Sequence, residues 1–154
     1  MTSSSRRDRR FKVTADNIII KKIWQDSELM ELEVICTSRF VTSRSKIYAS
    51  DTLVDELIQK INAFLGGYGH CEEIEWANEC KGNLSTACVS FRFLEKDKLG
   101  HILIEVFAEV DDGGDYEKHN CCFFVNTEYG LLSHFCHELS LLKSGASGYE
   151  IHLN

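Results

Sequence analysis

A chain of 154 residues with 44% hydrophobic and 27% charged residues has the make-up of one ordinary globular domain, which excludes fibrous, disordered and disulfide-scaffold classes. Mean hydropathy is −0.19, no apolar run reaches the ~18–20 residues of a bilayer span, and MTSSSRRDRRFKV lacks the apolar stretch of a signal peptide, so a cytoplasmic protein is expected. The net charge of −7 is uneven: residues 1–46 hold ten Lys/Arg against six Asp/Glu, whereas residues 71–117 hold four against twelve.

The Ser-rich, Arg-rich residues 1–16 read as a flexible basic lead ahead of a single α+β domain over 17–154. Ile18 to Trp24 is short and β-branched, and Met30 to Ser38 alternates, with Met30, Leu32, Val34 and Cys36 on one face and Glu31 and Glu33 on the other. That period of two predicts strands joined by a hairpin turn at Gln25 to Glu28. A third strand is expected from Phe40 to Tyr48. The period then changes: Leu53, Leu57, Ile61, Phe64 and Leu65 recur at helical spacing behind an N-cap at Ser50, Asp51 or Thr52 and ahead of Gly66-Gly67, which predicts a helix over 52–65.

Four more strands follow over about 71–77, 85–94, 101–110 and 118–126, separated by turn-rich segments, an arrangement that implies an antiparallel meander. In the third of these, Ile102, Ile104, Val106, Ala108 and Val110 point one way and His101, Leu103, Glu105, Phe107 and Glu109 the other. A second helix is expected over 128–143, with Thr127 as N-cap and Leu131, Leu132, Phe135, Cys136, Leu139 and Leu142 as its apolar face. Tyr149 to Leu153 reads as a short final strand. Together these predict an α+β fold: a curved antiparallel sheet of about seven or eight strands with two helices packed on one face.

The seven cysteines are odd in number, and Cys36, Cys88 and Cys136 fall inside apolar-patterned segments; all seven are expected as reduced thiols. His134 and His137 sit three apart beside Cys136, but no second ligand pair accompanies them, so no metal and no cofactor are expected. Adjacent Cys121 and Cys122 must point to opposite faces of one strand and are not a redox pair. Asp111-Asp112-Gly113-Gly114-Asp115 lacks the downstream Glu of a calcium loop and reads as a hairpin turn. No local signature marks a nucleophile, so no catalytic residue is assigned and a non-enzymatic protein is expected.

Binding is the better prospect. Glu73 and Glu75 share a strand face, as do Glu105, Phe107 and Glu109, while Asp111, Asp112, Asp115 and Tyr116 lie in the turn that follows. Acidic rims around aromatic anchors suit a basic protein partner; these nine residues are the candidate partner-binding set, with Trp24 and Tyr68 as aromatics in or near turns. Arg6, Arg7, Arg9 and Arg10 lack interleaved aromatics and precede an acidic body, which argues against nucleic acid as the partner. No membrane partner is expected, and self-association stays open.

The run from Asp51-Thr52-Leu53 through Phe64 and Trp76, then Val89-Ser90-Phe91-Arg92-Phe93 leading into Asp97-Lys98-Leu99-Gly100-His101-Ile102, resembles small bacterial immunity proteins of the WapI-like kind. Phe123-Phe124-Val125 and Leu131-Leu132-Ser133-His134-Phe135 add to the resemblance, which spans about residues 17–153. It implies an immunity protein that binds and neutralises a cognate toxin, a basic nuclease-type domain, without naming contact residues. The alternative is a small-ligand-binding domain or small enzyme using a Cys–His pair in a pocket on the concave sheet.

Overall fold

The computed structural model describes residues 15–70, 73–78, 88–110 and 119–154, with only the backbone of Val110. Strands β1 (Asn17–Gln25) and β2 (Met30–Thr37) form the expected hairpin. Asp26 shapes its turn: one side-chain oxygen accepts from the N–H groups of Glu28 and Leu29, each at 2.8 Å, and the Asp26 N–H donates to the Leu29 carbonyl at 2.9 Å. The two main-chain bonds hold the Asp26 carboxyl below its ordinary pKa, Leu29 contributing most. Ser38 does the same for the next turn, its hydroxyl accepting from Phe40 and Val41. That turn keeps Phe40 out of the ladder, so β3 (Thr42–Ala49) starts two residues later than expected.

Helix α1 (Asp51–Gly66) begins where Ser50 accepts from the Leu53 N–H at 3.2 Å, and it ends as the Gly67 N–H donates to the Ala63 carbonyl at 3.0 Å. Val54, Leu57, Ile61, Phe64 and Leu65 form its buried face, and Leu53 stays at the rim. Strands β4 (Glu73–Ala77), β5 (Cys88–Glu95), β6 (His101–Val110) and β7 (His119–Glu128) then pair as the predicted meander. In the β5–β6 turn Asp97 accepts from the Leu99 and His101 N–H groups, and Gly100 takes a left-handed φ of 95° that a side chain would strain.

The eight strands divide into two four-stranded antiparallel sheets, ordered β3-β2-β1-β8 and β4-β5-β6-β7. The division follows from the connections. Helix α1 lifts the chain off β3 before the second sheet starts, and α2 (Tyr129–Leu142) carries it from β7 back to β8 (Glu150–His152), which pairs with β1. Side chains, not a ladder, join the sheets at the β1/β7 corner: Asn154 donates to the main-chain carbonyls of Asp16 (2.6 Å) and Asn126 (3.0 Å) and accepts from Thr127 (2.8 Å). That engagement corrects the expected role of Thr127. Its hydroxyl turns inward to Asn154, and Glu128 occupies the N-cap of α2 without a side-chain capping bond. Leu131 is also corrected, being 40% exposed rather than part of the buried face of α2.

The inward faces of both sheets and the apolar faces of both helices share one core. Phe64 stands at its aromatic centre, 6.0 Å from Phe93 and 6.2 Å from Tyr68, and Trp76 stacks on Phe91 at 5.5 Å. One charged side chain lies inside: Lys22, with no exposed surface, occupies the inward position that follows Ile18 and Ile20. Its ammonium donates to Gln25 Oε1 (2.7 Å) and to the carbonyls of Lys143 (3.0 Å) and Gly145 (2.8 Å) at the C-terminal end of α2. All three donors are thereby used, and the cation faces the negative end of the helix dipole. Burial pushes the Lys22 pKa down, and the charge of Asp51 partly opposes this.

Candidate functional site

The outward face of the second sheet is built by parity: once Val89, Phe91 and Phe93 face the core, Ser90, Arg92 and Leu94 must face away. Register sets three rows across it. Glu75, Arg92, Glu105 and Phe124 lie side by side on β4 to β7; Ala77, Ser90, Phe107 and Cys122 form the next row, and Glu73, Leu94, Leu103 and Asn126 the row on the other side. Glu109 sits between Cys88 and Asn120 beyond the Phe107 row. Both helices pack on the opposite, core side, and among the described residues no helix covers this face.

The structure therefore brings five expected site residues onto one surface: Glu73, Glu75, Glu105, Phe107 and Glu109. Asp111, Asp112, Asp115 and Tyr116 lie outside the described residues, as do Arg6, Arg7, Arg9 and Arg10. Trp24 and Tyr68 do not join the face. Trp24 packs against Tyr48 at 6.2 Å on the first sheet, and the Tyr68 hydroxyl donates to the Asp97 carbonyl at 2.5 Å beneath the β5–β6 turn.

Arg92 is the hub that sequence reasoning missed. Its guanidinium hydrogen-bonds the Glu105 carboxylate directly opposite, lies 3.6 Å from Glu73 on the diagonal, and feels the charge of Glu75. The hydrogen bond from Arg92 is the main cause holding the Glu105 carboxyl below its ordinary pKa, against its partial desolvation. Four carboxylates against one guanidinium leave the face net acidic, with Glu75 the exposed charge nearest the hub. The signal for Arg92 was present in Phe91-Arg92-Phe93, a basic residue at the outward position of a strand within an otherwise acidic segment.

Thiol chemistry is muted. Burial pushes the Cys36 thiol up to about 12 and raises that of Cys136. Cys122 is exposed, yet partial burial and the neighbouring Glu105, whose Oε1 accepts from its Sγ at 3.3 Å, raise it as well. As expected, Cys121 and Cys122 face opposite sides, Cys121 against the core. Cys36, Cys121, Cys122 and Cys136 are free, whereas Cys88 is disulfide-bonded to a cysteine outside the described residues. This corrects the expectation of seven reduced thiols, because the apolar patterning that marks Cys88 as a strand residue does not show what its sulfur meets.

His134 is near Glu138 at 3.4 Å, and among the described residues no group of three or more His, Cys, Asp or Glu is placed to hold a metal ion. The cavity enclosed between the sheets is about 10 Å³, lined by apolar side chains and the Trp76 ring. Among the described residues no helix is long and apolar enough to cross a membrane. Comparison with known protein families, with curated proteins and with solved structures finds no match.

Proposed function

We propose that the chain is a binding protein that captures a basic protein through the outward face of its second sheet, and that it acts as an immunity protein neutralising a cognate toxin domain in the cytosol. The observation that carries this reading is the uncovered face itself, where Glu73, Glu75, Glu105 and Glu109 surround half-buried Phe107 and only Arg92 opposes them. Such a surface steers a cationic partner over about a Debye length and offers an aromatic contact once it has docked. Arg92 has a second use here. By tying Glu105 and Glu73 in place it fixes the carboxylates in one array, which lowers the ordering cost of binding.

The resemblance of the Asp51 to Phe64 and Phe91 to Ile102 segments to WapI-like immunity proteins supports the toxin as the class of partner. The test is growth rescue. Cells expressing the toxin domain encoded beside this gene should survive when the chain is co-expressed, and should die when Glu73, Glu75 and Glu109 are together replaced by Lys. Rescue by the triple variant equal to that of the native chain refutes the assignment of the face, and failure of the native chain to rescue refutes the function.

A further inference from the structure

Strand β7 is the outer edge of the second sheet, and nothing in it blunts that edge. It pairs with β6 in unbroken register from His119 to Glu128, with no bulge, no proline and no lysine or arginine, the devices that usually keep an edge from recruiting another strand. Asn126 shows which main-chain groups point outward: its N–H donates to Asp16 Oδ2 at 2.8 Å and its carbonyl accepts from Asn154 at 3.0 Å, both away from β6. Outward groups alternate along a strand, so the N–H and C=O of Asn120, Cys122 and Phe124 face the same open edge. Asp16 and Asn154 cover the edge at Asn126. The open window is therefore Asn120 to Phe124, and its middle residue is Cys122.

We propose that this window is a self-association site, at which a second copy of the chain adds its own β7 antiparallel about a two-fold axis through Cys122. The window maps onto itself under that axis: Asn120 faces Phe124 of the second copy, and Cys122 faces Cys122. Three such pairs exchange about six main-chain hydrogen bonds and join two four-stranded sheets into one. Charge favours a second copy here although the whole chain carries −7: no acidic or basic side chain lies within the window, and the nearest carboxylate, Glu105, is engaged by Arg92. Pairing also shelters Phe124, which is 47% exposed. An interface this small belongs with weak, transient associations, so dissociation in the range of micromolar to tens of micromolar is expected.

Sedimentation velocity of the full chain under reducing conditions, from about 1 to about 500 µM, should show a reversible shift from monomer to dimer. Cys122→Pro removes an outward N–H that makes no bond to β6, so it should keep the native circular dichroism and stay monomeric throughout. A second readout does not depend on that variant folding. Directly opposed residues of an antiparallel pair are about 5.5 Å apart at Cα, within disulfide range, so diamide, which takes up the two thiol hydrogens, should link native chains covalently through Cys122. Cys122→Ser should abolish the link. A monomer at all concentrations, or dimers of folded Cys122→Pro as strong as those of the native chain, overturns the proposal; so does a diamide-linked dimer that persists in Cys122→Ser. An edge that instead accepts strands only from other proteins gives the first of these results.

Discussion

Replacing Lys22 by Met keeps the aliphatic stem and removes only the ammonium, which makes it a direct probe of how a cation is tolerated in the core. The side chain has no exposed surface, and its three donors meet Gln25 and the carbonyls of Lys143 and Gly145. Without them two carbonyls at the end of α2 lose a charged donor, at about 1–3 kcal/mol each, while the desolvation penalty of the ammonium is recovered. A net loss of about 2–4 kcal/mol is expected, lowering the urea midpoint by about 1–2 M and Tm by about 5–15 °C. The pH dependence carries a sign. Because the folded-state pKa lies below the ordinary 10.5, the unfolded chain holds more protons between the two values, and stability from this group rises with pH across that window. The gap between native protein and Lys22→Met should therefore widen toward pH 10. An unchanged midpoint at neutral pH, or a gap that narrows on the alkaline side, refutes the reasoning.

Leu57→Ala and Phe135→Ala remove side chains only 2% and 3% exposed, and each should cost about 2–5 kcal/mol in denaturant unfolding. Thiol titration in denaturant without reductant should count five thiols, the seven cysteines less the Cys88 disulfide pair; a count of seven contradicts the disulfide. In the native state Cys36 and Cys136 should resist alkylation at neutral pH, since burial holds both thiols protonated. Arg92→Ala should release Glu105 toward its ordinary pKa of 4.5. Glu105 stabilises the fold above that value and loses its contribution as pH falls through the lowered folded-state pKa, so the difference between native and Arg92→Ala midpoints should shrink on acidification.

Periodicity made most of the architecture legible before any coordinates. The alternation Met30, Leu32, Val34, Cys36 and the helical spacing Leu57, Ile61, Phe64 record which side of each element is buried, and burial is what fixes them. The division of eight strands into two sheets was not legible, because it depends on Asn154 meeting Asp16, Asn126 and Thr127 across more than a hundred residues of sequence for some of these bonds. Lys22 shows the same limit. Its inward parity was readable from Ile18 and Ile20, but the carbonyls that receive it lie 121 and 123 residues further along the chain. On the candidate face, parity placed Glu105, Phe107 and Glu109 together, while the cross-strand register that makes Arg92 the hub came only with the ladder.

The central claim is that the acidic outward face drives capture of a basic partner, and stopped-flow association with the toxin domain encoded beside this gene tests it most directly. Charge steering should raise the association rate above the ~10⁵–10⁶ M⁻¹s⁻¹ of unsteered encounters and make it fall steeply with added salt. Changing Glu75, Glu109, Asp111 and Asp112 to Gln or Asn should slow association and flatten the salt dependence, with dissociation little altered. An association rate that does not respond to salt, or one that the four changes leave untouched, contradicts the account.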